Sequence, residues 1–270
     1  MNLLFKMITS VRKIVYQTLG SIDRVIFHTK NPVVILSYHS ISNDAWRFSV
    51  SEDALKKQIT YLKNHFEIIT LKKLSDYLSG KKKLTRPAVI LTFDDGYKDI
   101  LKMESFFNKH KIKPALFVLA NSKNPNRQEL GNKKTFLNKK EIQHLHNAGW
   151  EIGCHSATHA NLATLSQEEL DKEIVQAKHK MEKQLGFSIP YFAYPRGKYN
   201  ENVVRLVKVA NYLMGFTMDD GIIKPNRDVY TIPRIGIDNT HTFSEFVNTF
   251  SPSVVRFRGL IKLSPVGRYL

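Results

Sequence analysis

Ala88-Val89-Ile90-Leu91-Thr92-Phe93-Asp94-Asp95-Gly96-Tyr97 carries an apolar, β-prone run straight into two adjacent carboxylates and a glycine. Further on, Trp150-Glu151-Ile152-Gly153-Cys154 runs in the same way into His155-Ser156-Ala157-Thr158-His159. Short apolar runs bounded by turn residues read as buried strands of a parallel sheet. Both clusters of polar side chains therefore fall at strand ends. One carboxylate and two imidazoles form an oxygen and nitrogen ligand set for a catalytic zinc-type ion with a position left for water. The second carboxylate can then take the proton of that water. Gly96 allows a tight turn that aims both aspartates inward.

Outward from these two stretches the pattern alternates. Apolar β-rich runs occur at 32–38, 66–70, 88–93, 115–119, 150–155, 191–194, 212–217 and 230–235, with helical stretches near 52–64, 71–79, 98–110, 138–148, 166–185 and 200–210. Ser51 and Ser166 stand where N-caps belong, and Ser166 with Glu169 has the capping-box spacing. Strand–helix alternation argues for a parallel sheet, and about eight strands permit a closed α/β barrel. In such barrels function gathers at the C-terminal strand ends. That rule brings His39, Asp94, Asp95, His155, His159, Arg196, Asp219 and Asp220 to one face. The polar stretch 121–134 reads as a mobile loop near the mouth.

The chain has 270 residues, enough for one large α/β domain, and its single cysteine, Cys154, excludes an internal disulfide. A formal charge of +17 points to an anionic partner, a membrane surface or a glycan. No nucleic-acid reading motif is visible, so nucleic acid is not an expected partner. No apolar run is long enough to cross a bilayer. Leu4, Ile8, Val11, Val15, Leu19, Ile22 and Ile26 recur at helical spacing, while Lys6, Arg12, Lys13 and Arg24 break up any signal-peptide core. Two readings fit: a basic amphipathic helix on a membrane surface, or a helix packed on the barrel. The C-terminal segment repeats the pattern, with Val254, Val255, Phe257, Leu260, Ile261 and Leu263 among Arg256, Arg258, Lys262 and Arg268. The expected division is a helix over 1–30, a barrel over 31–245 and a basic amphipathic tail over 246–270. The expected location is cytoplasmic, peripheral on the inner face of the membrane.

TFDDGY at 92–97, HSATH at 155–159 and Phe192-Ala193-Tyr194-Pro195-Arg196-Gly197 together resemble the first three motifs of the polysaccharide deacetylase family, the NodB homology domain of carbohydrate esterase family 4 type. Tyr38-His39-Ser40-Ile41 and Pro233-Arg234-Ile235 resemble the branch of that family with YHxI, FAYP and PRI motifs. The resemblance spans roughly residues 33–238. It implies a distorted (β/α) barrel, often seven-stranded. It further implies one divalent metal, Zn2+ before Co2+, Ni2+ or Mn2+, held by Asp95, His155 and His159, with Asp94 as the base.

The third motif departs from the family pattern, because Ala193 stands where an arginine usually orients the base. Arg234 is expected to supply that cation; the alternative is a surface arginine at a strand end. Tyr97, Tyr194, Pro195 and Arg196 are expected substrate contacts, with the oxyanion resting on the metal and on backbone N–H groups near Tyr194. The family's acid histidine has no counterpart in its usual place, so His39 or His241 is the candidate proton donor.

The resemblance thus implies removal of an acetyl or other small acyl group from an N-acylated sugar of a polysaccharide or lipid-linked glycan. Alternatives are an O-acetyl esterase or a deformylase on the same scaffold, or a glycan-binding barrel that has lost catalysis.

Overall fold

The fold is that of a computed structural model, which describes residues 3–26, 32–126, 130, 134–225 and 227–262; the side chains of 3–8 and 24–26 fall outside that description. In chain order the strands are β1 (Val33–Tyr38), β2 (Ser40–Ile41), β3 (Ser49–Val50), β4 (Glu67–Ile68) and β5 (Ala88–Phe93). They continue with β6 (Ala115–Val118), β7 (Glu151–Cys154), β8 (Tyr191–Ala193), β9 (Met214–Phe216) and β10 (Ile235–Gly236). The α-helices are α1 (Leu3–Ile26), α2 (Glu52–His65), α3 (Leu71–Leu78), α4 (Glu104–Lys109) and α5 (Lys139–Asn147). They are followed by α6 (Gln167–Leu170), α7 (Ala177–Leu185), α8 (Glu201–Val209), α9 (Phe243–Asn248) and α10 (Pro252–Lys262). The Ser51 cap and the Ser166–Glu169 capping box both form.

One parallel sheet runs β10-β1-β5-β6-β7-β8-β9. β1 and β5 are buried at every position and pair over their full length, from Val33 opposite Ala88 to Tyr38 opposite Phe93. This is why their sequences are continuously apolar rather than alternating. The other edge of β5 is shared. Glu67–Ile68 pairs with its start and Ala115–Leu116 with its end. The run at 66–70 accordingly yields only a two-residue strand.

The run at 230–235 is also shorter than expected. Pro233 has no N–H to give a ladder. Ile232 bridges to Phe216 before that proline, and Ile235 pairs with Leu36 after it. The segment therefore steps from β9 across to β1 and closes a distorted barrel. The centre of the expected mouth loop, at 127–129 and 131–133, lies outside the described residues, as do 27–31 and 263–270.

Helix α1 packs on α9 and α10, with Val15 and Leu19 of its apolar stripe half-buried. Its inward face is Arg12, Tyr16, Gly20 and Asp23. Arg12 Nε lies 2.7 Å from Glu245 Oε1, both side chains being 1% exposed. The carboxylate of Asp23 accepts from the N–H and hydroxyl of Ser253 at 2.8 and 2.7 Å. At Gly20 the helices approach so closely that a Cβ would lie 2.0 Å from Asn248 Oδ1. Val11, Ile14 and Ile22 face outward, 58%, 63% and 43% exposed; Leu4, Ile8 and Ile26 of the stripe lie among the side chains not described. The expected division at 245/246 falls inside α9. Its Glu245 closes a capping box with Thr242 and holds Arg12 at the same time.

Candidate active site

The strand ends position the polar side chains. Asp94 N–H donates to Tyr38 O at 2.9 Å, one step beyond the β1–β5 ladder, and His155 N–H donates to Val118 O at 2.9 Å. The chain turns sharply there. Asp95, Ser156, His159 and Arg196 all have positive φ, between 59° and 68°, a region unfavourable for non-glycine residues. Gly96 turns at φ +76°, where a Cβ would meet Val118 Cγ1 at 2.8 Å, so both halves of the expected aspartate turn use left-handed backbone.

Asp95, His155 and His159 converge with one ligand atom each, all within 4.8 Å of one another and all buried. Asp95 Oδ1 is 3.5 Å from the Nε2 atoms of both histidines and has no hydrogen-bond partner among the described residues. His155 Nδ1–H donates to Ala193 O at 2.8 Å, which fixes the tautomer and leaves Nε2 as a lone-pair donor. Burial, with Asp94 beside it, pushes the Asp95 carboxyl up to about 8. Burial and His155 bring His159 down to about 2. A buried carboxyl that ionises at neutral pH only beside a cation, next to two neutral imidazoles, fits a small divalent ion.

Asp94 is held differently. Arg234, 0% exposed, grips it bidentately, Nη1 to Oδ1 and Nη2 to Oδ2 at 2.7 Å each. Arg234 also donates to Thr92 Oγ1 at 3.1 Å and Thr217 O at 3.2 Å, and it lies over the Phe117 ring at 5.2 Å. Ser37 Oγ donates to Asp94 at 3.2 Å. Burial alone would raise this carboxyl; Arg234 and His155 outweigh it and hold Asp94 well below the usual carboxylate range. Arg234 thus stands against Asp94 and not at the surface.

These groups open on a cavity of about 410 Å³. His39, Tyr194 and Arg196 line it. Tyr97 does not. It is 1% exposed, in an aromatic cluster with Trp46 and Phe136. Pro195 is also buried and off the wall. Of the N–H groups near Tyr194, its own donates to Phe216 O at 3.0 Å and that of Gly197 to Tyr194 O at 2.9 Å. Asp219 and Asp220 do not reach the cavity. Asp219 accepts from the Tyr199 hydroxyl at 2.7 Å, and Asp220 pairs with Arg258 at 2.8 Å.

Of the two candidate proton donors, His241 has both nitrogens engaged, Nδ1 by Asp238 at 2.9 Å and Nε2 by Arg258 at 3.1 Å. His39 packs against Phe48, and its Nδ1 has no partner among the described residues. Burial brings its pKa down to about 4, outweighing the pull of Asp94. Sequence reasoning missed the walls contributed by Trp46 and Phe48 and by Arg258 and Lys262 of α10. No motif marks them, since the fold brings them in from the β2–β3 connection and from the last helix.

A parallel barrel with a carboxylate and two histidines at its strand ends, and an arginine-held carboxylate alongside, defines a class of hydrolase-like scaffold. A sequence model of the polysaccharide deacetylase family matches residues 81–215, and the chain belongs to that family. It is 28% identical over 213 residues to a poly-beta-1,6-N-acetyl-D-glucosamine N-deacetylase of Staphylococcus aureus (strain MRSA252), covering 75% of this chain and 72% of that one. Its fold matches the Streptococcus pyogenes deacetylase PplD, solved in complex with acetate, at a TM-score of 0.70 and 23% identity, over 83% of this chain and all of that one. It also matches IcaB from Ammonifex degensii at a TM-score of 0.69 and 20% identity, over 84% and 97% of the two chains.

Proposed function

We propose that this chain is a metal-dependent hydrolase that removes an acetyl group from an N-acylated sugar of a polysaccharide or lipid-linked glycan. The observation that carries this reading is that Asp94, gripped from behind by buried Arg234, and the Asp95, His155 and His159 cluster face one cavity. The names of the relatives support the acetylated-sugar substrate. A divalent ion held by Asp95, His155 and His159 would supply Lewis acidity toward water and the acyl oxygen. Asp94, kept ionised by Arg234, accepts the proton of the attacking water. His39, neutral at rest and under the influence of Asp94, would take up the proton that Asp94 receives from water and pass it to the leaving amine. Arg196 and the Tyr194 ring bound the space for the sugar.

The direct test is to incubate the metal-loaded protein with N-acetylglucosamine oligomers and with lipid-linked saccharides, following acetate release and a mass loss of one acetyl unit. Release only from O-acetylated sugars would replace this reading with an esterase. Release of formate alone would replace it with a deformylase. The metal assignment has its own test. His155→Ala and His159→Ala should each lower metal affinity by at least the roughly 10–100-fold typical of losing a supporting contact. Full metal occupancy in both variants, measured by elemental analysis, would sink it.

The outward apolar face of α1 is the proposed contact with an anionic lipid surface, such as the inner leaflet of the cytoplasmic membrane. Among the described residues no helix is long and apolar enough to cross a membrane. The chain carries +17 charges, and exposed Lys13 and Arg256 accompany exposed Val11, Ile14 and Leu260 on α1 and α10. Each basic residue near such a surface contributes about 1 kcal/mol, screened by salt, and inserted apolar side chains add a part that salt does not screen. Sedimentation with phosphatidylserine vesicles should therefore weaken with salt and weaken further in Ile14→Glu, whose side chain makes no core contact. Equal sedimentation of Ile14→Glu and the parent chain at low salt would refute the lipid contact.

A further inference from the structure

We infer that Glu173 is a positioning residue that sets the geometry of the two histidines in the proposed cation site; the inference rests on the metal reading above. His155 and His159 are separated by Ser156, Ala157 and Thr158, and the segment begins and ends on left-handed backbone, with φ +64° at Ser156 and +67° at His159. Such conformations cost on the order of 1–3 kcal/mol each and persist only where the surroundings hold them. His155 is anchored by its strand. Within the segment, Ser156 Oγ accepts from His159 N–H at 3.0 Å. The Ala157 and Thr158 N–H groups both go to one residue, Glu173. Glu173 Oε2 accepts from Ala157 N–H at 3.0 Å and Thr158 N–H at 2.9 Å, and Oε1 accepts from the Thr158 hydroxyl at 2.7 Å.

The helix that carries Glu173 is built for this contact. Between α6 and α7 the segment Asp171–Gln176 is π-helical. A π turn widens the helix, leaves carbonyls without their usual partners, and occurs mostly at functional sites. Here two carbonyls of the turn accept from outside the helix. Glu173 O accepts from Ala157 N–H at 3.1 Å, and Ile174 O accepts from the Tyr212 hydroxyl at 3.2 Å. Leu170, Ile174, Ala177 and Met181 stay in the core, so the apolar face is kept while Glu173 is turned to the histidine segment. Glu173 is 8% exposed. Three hydrogen bonds to its carboxylate account for its burial. Its carboxylate neither lines the cavity nor belongs to the ligand cluster, so it acts through the loop.

The test is metal binding by the full chain, freed of metal and titrated with Zn2+ against a chromophoric chelator and with Co2+ by visible absorption. The Co2+ spectrum reads the arrangement of the ligands, which general loosening elsewhere would not alter. Glu173→Ala should weaken Zn2+ affinity by about 10–100-fold and change the Co2+ spectrum. Glu173→Gln can keep one oxygen against the two N–H groups and should restore most of the affinity and the parent spectrum. Glu173→Ala with parent affinity and spectrum overturns the inference, as does Glu173→Gln losing as much as Glu173→Ala. Should Glu173→Ala fail to fold, Thr158→Val removes one arm of the clamp; unchanged affinity and spectrum there would equally overturn it. A parent chain that takes up neither ion fails the metal reading itself, a result distinct from these.

Discussion

Asp94→Asn is expected to lower turnover on an N-acetylated saccharide by about 100- to 10,000-fold, the usual range for losing a positioned base, while the protein keeps its metal. The substitution preserves shape and removes the charge proposed to accept the proton. Asp95, not Asp94, shares ligand distance with both histidines, so metal content should be unchanged. The structural cost is limited but real. Arg234 donates to both oxygens of Asp94, and an amide can accept only one of those two bonds. Asp94→Asn should therefore lower the unfolding midpoint as well as the rate. Near-parent turnover would mean that Asp94 is not the base. Loss of metal would mean that the two aspartates have exchanged roles.

The central strands and the two motifs that carry the candidate ligands were legible in the sequence because each is local. The run at 88–93 is apolar at nearly every position since β5 is covered on both faces, and the two aspartates follow at once. The helical caps at Ser51 and Ser166 were legible for the same reason, each being decided within four residues. Arg234 was reached differently, by asking where the cation missing at Ala193 could come from. The closing strand was misjudged in length because Pro233 interrupts a run that looks continuous in hydropathy.

What the sequence did not show is mostly non-local and polar. Helical spacing picked out the stripe containing the exposed Val11 and Ile22, yet the fully buried contacts of α1 come through Arg12, Tyr16 and Asp23. Hydropathy carries no sign of that preference. The partners, Glu245, Arg258 and Ser253, lie more than two hundred residues away. Glu173 was hidden similarly, as an ordinary glutamate in a charged helix until the π turn and the histidine segment are seen together. Tyr97 was placed by motif in the substrate's path, but core packing already uses it.

Arg234→Met should destabilise the protein by about 3–5 kcal/mol at neutral pH, the usual cost of leaving one member of a buried pair alone, and should also abolish most activity. Methionine fills part of the volume over Phe117 but offers nothing to Asp94, Thr92 Oγ1 or Thr217 O. The pH dependence separates charge from packing. In the parent chain Asp94 titrates below its unfolded value, because Arg234 and His155 outweigh burial. Its contribution to stability is therefore present above the ordinary carboxylate range near pH 4 and is lost as pH falls through that range toward the folded value. Without Arg234, burial dominates and the carboxyl titrates above its unfolded value. The variant then loses stability as pH rises from about 4. The gap between the two proteins should be widest near pH 7 and narrow steadily toward pH 4, as read from denaturant midpoints at matched ionic strength. A gap of constant size across that window would mean that Arg234 stabilises the barrel through packing alone. Its place as the cation that keeps Asp94 ionised would then have to be given up.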